Sequence, residues 1–208
     1  IYDFARFSGV YEPGTERWEK TADSKDIVFK FKGKTGQQCT LTATGTGGVW
    51  SVSANGYELR TPETVTLKLV EGSTTHMSAN IRSTVNESAH TASIAVSVVA
   101  ANIESTAAVN ATDSRITQNS VMKVSGRTVL TNSATIDGKN LCNRSRWERI
   151  LDEEDDFDVD ELFHKAVAEI SLIDRVQVKA EASSFQSIGE AIDGCYDKYE
   201  YAVSYTHL

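Results

Sequence analysis

The residues with the most obvious capacity for chemistry form an acidic run, DEEDDFDVD, in the last third of the chain. Within it, Asp156, Asp158 and Asp160 have the spacing of the first three ligands of an EF-hand calcium loop. The loop pattern then fails, because its sixth position is Glu161 instead of glycine and its twelfth is Val167 instead of glutamate. We therefore interpret the run as the solvated N-terminal end of a helix and predict no metal site.

The other residue types used in catalysis are isolated. His76, His90 and His164 lie in no HxxE or HExxH pattern, and we interpret all three as surface residues. No serine is framed by GxSxG, and the glycine-rich stretch 45–48 lacks the lysine and the helix of a phosphate loop. The carboxylates are numerous, but no pattern fixes two of them across a cleft. The sequence therefore predicts no enzyme activity and no cofactor.

Two aromatic residues are candidates for a ligand site. Trp50 and Tyr57 flank an Asn-Gly hairpin turn, and aromatic rings carried by a β-sandwich can stack on sugars. Cys39 and Trp50 also have the spacing of the cysteine and tryptophan of an immunoglobulin-like sandwich. The second cysteine and its preceding tyrosine are missing where the later strands of that fold would lie. A carbohydrate-binding β-sandwich module remains one hypothesis.

Composition limits the class of protein. The chain has 208 residues, of which 40% are hydrophobic, enough for one domain or two small ones. A formal charge of −8 argues against a nucleic-acid partner, since phosphate binding needs clustered basic residues. No apolar run reaches the roughly 18 residues that span a bilayer, so we predict no membrane insertion. Cys39, Cys142 and Cys195 are odd in number and lack CxxC spacing, which predicts unpaired thiols.

The N-terminal part, residues 1–57, predicts an antiparallel β-unit. Apolar and β-branched residues at 27–32, 39–43 and 49–52 predict three strands, separated by glycine-containing turns. Large aromatic side chains occur here at ordinary density, which suits a conventional core.

The middle part, residues 58–146, contains no Phe, Tyr or Trp, although the chain has 17 of them. Strict alternation of apolar residues at 92–100 nevertheless predicts a half-buried strand rather than disorder. A narrow β-solenoid can be filled by Val, Ile, Leu and Ala alone. Similar segments begin at Val65, Val121 and Val176, a spacing of 56 and 55 residues that suggests stacked units.

Residues 65–138, and above all AVSVVAANIESTAAVNATDSRITQNSVMKVSG at 95–126, resemble the repeats of large bacterial filamentous adhesins of the leukotoxin-like and haemagglutinin-like kind. In those repeats an AVSV strand and a turn precede a V-x-V strand. The resemblance implies a right-handed parallel β-helix, a surface location and a scaffold or adhesive role. Gln118, Asn119 and Ser120 replace the Gly-Gly turn of the repeat.

The C-terminal part, residues 147–202, is acidic, with 16 acidic and 5 basic residues. Apolar residues at i, i+3 and i+4 spacing predict an amphipathic helix over 157–171. A strand is predicted over 175–182, and a second short helix from Phe185 to Ile192. The last six residues, 203–208, match a translated sequencing adapter, and we interpret them as an artefact.

These observations predict a mainly β protein with β-solenoid-like or β-sandwich strands and a C-terminal amphipathic helix. The alternative is an immunoglobulin-like sandwich with an α/β tail. The predicted function is structural or adhesive, in a fragment of a large secreted or surface-anchored bacterial repeat protein. Its partners would be a host-cell, glycan or neighbouring-protein surface, and its location extracellular or at the cell surface. A phage tail or baseplate component is the alternative from another class.

Overall fold

The computed structural model describes residues 2–20, 26–54, 57–143 and 162–183 and confirms a mainly β protein. A 3-10 helix, Phe4–Phe7, follows the first strand. The strands are β1 (Tyr2–Asp3), β2 (Gly9–Glu12), β3 (Arg17–Glu19), β4 (Asp26–Lys32), β5 (Gln38–Ala54), β6 (Tyr57–Glu71), β7 (Thr74–Asn86), β8 (Thr91–Ala100), β9 (Ile103–Ala111), β10 (Arg115–Val124), β11 (Arg127–Gly138), β12 (Phe163–Leu172) and β13 (Val176–Ala182).

All of these strands belong to one open sheet, in the order β13-β12-β11-β10-β9-β8-β7-β6-β5-β4-β2-β3. Each strand from β4 to β13 pairs antiparallel with the next one along the chain. Among the described strands, only β2 with β4 and β1 with β6 pair in parallel. This meander differs from the parallel coils that the adhesin resemblance implies. Neither a solenoid nor a sandwich is confirmed, since the described strands form a single sheet.

Short turns produce the meander. Ser125 and Gly126 join β10 to β11 with φ of 51° and 76°, the doubly positive backbone that matches the twist of a tight hairpin. Ala101 begins the turn between β8 and β9 with φ of 53°, and Ile173 begins the turn after β12 with φ of 53°. Positive φ is unfavourable for a β-branched residue such as isoleucine, so strand pairing must offset the strain there.

The sheet has almost no buried core. Its buried hydrophobic residues among those described are Cys39, Ala79, Leu141 and Leu162. The chain exposes 14646 Å² of surface. A compact monomer of its 22.8 kDa mass would expose about 9,600 Å². Strands therefore pack on their sheet neighbours rather than on a second layer.

The helix predicted over 157–171 is wrong where the structure describes it, because Phe163–Leu172 is strand β12. The same residues also alternate: Ala166, Ala168, Ile170 and Leu172 occupy every second position. In that register each of them lies opposite a residue of β11, and Ile170 and Leu172 also face Val178 and Val176 of β13. Cross-strand partners on both sides outweigh the local helical periodicity. Residues 157–161 and the second predicted helix lie outside the described residues.

Other strand predictions agree with the structure. The strand predicted at 27–32 is β4, and the one predicted at 175–182 is β13. The two strands predicted at 39–43 and 49–52 are parts of one long strand, β5, whose register shifts between Thr46 and Val49. Residues 203–208 lie outside the described residues.

Candidate functional site

The largest feature available for interaction is one face of the sheet. Directly opposite residues of an antiparallel pair lie on the same face. Ile94 lies opposite Val109, and Val96 lies opposite both Ile81 and Ala107, so the alternation read from the sequence extends from strand to strand. We call this surface the apolar face; its principal residues are Leu41, Ala43, Val65, Leu67, Leu69, Met77, Ala79, Ile81, Val85, Ile94, Val96, Val98, Ile103, Val109, Ile116, Met122, Leu130, Ile136, Ala166, Ala168, Ile170, Leu172, Val176 and Val178.

Much of the apolar face is accessible to solvent. Ile94 is 42% exposed, Ile103 43%, Ile170 42% and Val178 58%. These side chains lie on four different strands, so the exposure is a property of the whole face. A contiguous apolar surface that extends over several strands and is exposed to water marks a site of interaction with another surface.

The apolar face is also almost free of charge. Among paired positions from β7 to β13, the only charged residue on this face is Arg127, at the very start of β11. Neutral polar residues interrupt it on several strands: Ser83 on β7, Ser105 on β9, Gln118 and Ser120 on β10, and Asn132 on β11, where Ser120 lies directly opposite Asn132. Any partner of this face must therefore be mainly apolar, with hydrogen-bonding groups chiefly opposite Gln118, Ser120 and Asn132.

The opposite surface, which we call the polar face, carries the ion pairs. Arg115 Nε lies 2.6 Å from Asp137 Oδ1, and Lys165 Nζ lies 2.6 Å from Glu181 Oε1. The hydrogen bond from Arg115 lowers the pKa of Asp137, and the one from Lys165 lowers the pKa of Glu181. Such exposed pairs contribute little stability, so the polar face is mainly a solvated surface.

A shallow groove of about 540 Å³ crosses the polar face over β7 to β10. Among the described residues of its lining, Arg82 is the one that carries a charge, and the neutral polar groups come from Asn80, Ser97, Thr106, Asn119 and Ser120. A nucleophile paired with a base, or a pair of carboxylates, would be needed for hydrolysis, and the lining contains neither.

The Trp50 side chain forms a hydrogen bond with another strand of the sheet. Its indole Nε1 donates a hydrogen bond to Ser83 Oγ at 3.0 Å, and its ring is half-buried. This contact joins β5 to β7 across the intervening β6. Tyr57 begins β6 opposite Ala54, and its side chain lies outside what the structure describes. A sugar-stacking role for the two residues stays a prediction.

An aromatic cluster continues the apolar face at the short end of the sheet. The ring centroids of Tyr11 and Trp18 are 5.8 Å apart, and Phe29 lies 5.8 Å from Tyr11 and 6.3 Å from Trp18. Tyr11 and Phe29 are register partners in β2 and β4, and β4 in turn pairs with the apolar strand β5. The sequence indicated only that these rings could build a core, because their common location depends on the parallel pairing of β2 with β4.

The structure contains two clusters of titratable residues that no sequence motif indicated. The first is centred on Glu71. Thr35 Oγ1 donates to Glu71 Oε1 at 2.5 Å, and His76 Nε2 lies 3.0 Å from Glu71 Oε2. The Thr35 hydrogen bond, followed by that of His76, lowers the pKa of Glu71. Burial and the neighbouring Glu71 charge raise the pKa of the Cys39 thiol. A raised thiol pKa is the opposite of what a nucleophile needs.

The second cluster is centred on Asp113, in the turn between β9 and β10. His90 Nδ1 lies 2.6 Å from Asp113 Oδ2, and the Cys142 amide donates to Asp113 Oδ1 at 3.3 Å. The Leu141 amide donates to the backbone carbonyl of Asp113 at 3.0 Å. Burial, and then the Asp113 charge, raise the pKa of the Cys142 thiol. The Asp113 carboxylate thus connects the turn before β8, the turn between β9 and β10, and the residues that follow β11. The Cys142 thiol, with its raised pKa, is not activated as a nucleophile.

Metal and disulfide chemistry find no support in the part of the chain described. It contains no group of three metal-ligating side chains, and its two cysteines, Cys39 and Cys142, are unpaired as predicted. The acidic run with Asp156, Asp158 and Asp160 lies outside the described residues, as does Cys195. His76, His90 and His164, expected as surface residues, are all accessible to solvent, and His76 and His90 each also contact a carboxylate.

No helix among the described residues has the length and apolarity to cross a membrane. Comparison with known protein families, with curated proteins and with solved structures finds no match.

Proposed function

We propose that this chain is a non-catalytic structural or adhesive segment of a large secreted or surface-anchored bacterial protein. The observation that carries the proposal is the wide apolar face, which is open to solvent and, from β7 to β13, has no charged residue except Arg127 at the start of β11. A surface of this kind has no use in an isolated soluble monomer, whereas a structural protein buries it against a further β layer. The β-sandwich expected from the sequence would then arise by packing of this sheet on its partner.

The chemistry of the site supports a mechanical role over a catalytic one. Cys39 and Cys142 have raised pKa values and are not poised as nucleophiles. Asp113 and Glu71 use their carboxylates to tie turns and strand ends together. These interactions stabilise turns and strand ends at the margins of the sheet.

The two edges of the sheet differ in whether a further strand can pair with them. β3, at one edge, has three residues, of which Arg17 and Glu19 are charged, and such short charged strands block further pairing. β13, at the other edge, has seven residues with Val176 and Val178 exposed, and no described strand pairs with its outer side. A neighbouring strand could extend the sheet at β13, as expected of a segment within a longer β structure.

Antibody labelling in the source organism tests the location that this proposal requires. We expect an antibody raised against the segment to label intact cells or the culture supernatant. Labelling that appears only after permeabilisation would contradict an extracellular or cell-surface role. A cytoplasmic protein of the same organism serves as the control for leakage.

A phage tail or baseplate component is the alternative function, since a phage fibre also needs wide β surfaces that pack on neighbouring subunits. The genes on either side distinguish the two. Tail or portal genes would favour the phage component, whereas further similar segments in the same reading frame would favour the adhesin.

A further inference from the structure

The apolar face is chemically suited to pack against itself. Two identical surfaces that meet across a twofold axis are both buried, so any charge on an otherwise uncharged surface would lose its hydration in both copies and find no opposite charge. From β7 to β13 the apolar face avoids this, because its only charged residue, Arg127, lies at a strand end. The polar face could not pack in this way, since it would bring Lys165 and Arg82 of two copies into one buried interface.

The polar interruption of the face is also compatible with self-packing. Gln118, Ser120 and Asn132 have neutral amide or hydroxyl groups, and each group can both donate and accept a hydrogen bond. An identical set on a second copy therefore offers matching partners. A lysine or glutamate at these positions would not, because it can only donate or only accept.

The area of the face is sufficient for a stable dimer. From β7 to β13, the part of the face whose only charged residue is Arg127, the sheet is seven strands wide. At about 4.8 Å between strands and about 3.4 Å per residue, seven strands of some ten residues cover roughly 1,100 Å². A stable interface needs about 800 Å² from each partner. Contact over about three-quarters of the face is thus enough for a stable dimer. The remaining quarter, at the margins, can be out of contact because both sheets twist.

We propose that the apolar faces of two copies of this chain pack against each other as a symmetric two-sheet sandwich. The inference rests on the proposed structural function and names the partner of its interaction surface. In the dimer, Ile94, Ile103 and Ile170 are buried between the sheets, and the polar faces with their ion pairs are turned to solvent on both sides.

Sedimentation velocity of the full chain at micromolar concentrations tests the dimer. The informative variant is Ile94→Lys on the apolar face, and its matched control is Ala95→Lys, one residue further along β8 and exposed on the polar face. We expect wild type and Ala95→Lys to be dimers and Ile94→Lys to dissociate at least about 100-fold more readily, because symmetry would bury two unpaired ammonium groups. Far-UV circular dichroism must show the same strand content in all three.

Ile170→Lys, on the distant strand β12, provides a second test at a separate part of the same face. Dissociation of both isoleucine variants but not of Ala95→Lys supports the inference. A wild-type monomer with intact strand content would overturn the dimer and leave the structural role to a different β partner. Dimers that persist in both isoleucine variants, or an open-ended series of larger oligomers, would also overturn it. Loss of strand content in the wild type itself would refute the proposed function instead.

Discussion

Gly138 should not tolerate a side chain, although its backbone dihedrals are ordinary. A Cβ placed there would collide with the carbonyl oxygen of Leu162 and lie 2.8 Å from a methyl group of Leu141. These two leucines are among the few buried side chains of the protein, with 1% and 5% exposure. The Leu162 carbonyl also accepts a hydrogen bond from the Lys139 amide at 2.9 Å. Gly138→Ala therefore pushes on backbone atoms that have little freedom to move.

The magnitude follows from two contributions. Overpacking a well-filled site costs about 1–3 kcal/mol, and weakening the hydrogen bond to the Leu162 carbonyl costs about 1 kcal/mol more. We expect Gly138→Ala to lower the free energy of unfolding by about 2–4 kcal/mol. Urea denaturation followed by circular dichroism measures this loss as a lower midpoint.

Gly14→Ala is the matched control for this measurement. A Cβ at Gly14 would have no heavy atom within 4 Å, and the residue has no positive φ. Alanine there should leave stability unchanged or raise it by up to about 1 kcal/mol, because it restricts the unfolded chain. If Gly138→Ala unfolds at the same urea concentration as Gly14→Ala, the close contact between β11 and the start of β12 is not as described.

Further predictions concern the two titratable clusters and Trp50. The pKa of Glu71 is lowered in the folded protein. Its contribution to stability is therefore present above the unfolded pKa and is lost as pH falls through the folded pKa. In thermal melts from neutral to acid pH, the melting temperature of Glu71→Gln should decline less steeply than that of wild type. Trp50→Phe keeps the ring and removes the hydrogen bond to Ser83, so we expect a loss of about 1 kcal/mol in urea denaturation, whereas no loss would indicate that the bond is replaced by water. If the same variant and Trp50→Ala are screened on a glycan array, sugar binding by wild type that disappears only in Trp50→Ala would support the stacking hypothesis. Cys39 and Cys142 should react with a thiol reagent at neutral pH more slowly than free cysteine, since their pKa values are raised; faster reaction would argue for an activated thiol.

The predictions that agree with the structure depend on local pattern. The alternation at 92–100 identified β8 and its apolar side, because the side chains of a strand alternate between faces whatever the partner strand is. The strands at 27–32 and 175–182 were found in the same way. Unpaired thiols at Cys39 and Cys142 followed from the absence of a paired spacing.

The predictions that differ from the structure depend on distant partners. Ala166 and Ile170 satisfy both a helical and a strand pattern, and pairing with β11 and β13 decides between them. The clusters around Glu71 and Asp113 join residues that are 36 and 23 positions apart in the sequence, and no short motif could have shown them. The parallel coil implied by the resemblance requires a long connection between paired strands. Two-residue turns such as Ser125-Gly126 instead join neighbouring strands as antiparallel hairpins.

By itself, the sequence determined that the chain is made of strands with one apolar side, because a period of two is a property of each strand alone. Tertiary structure decided that these sides join into a single face, since one residue of register shift would have moved a strand's apolar residues to the other side of the sheet. It also decided that the face is left open to solvent, because the described strands form one layer and do not fold back on themselves.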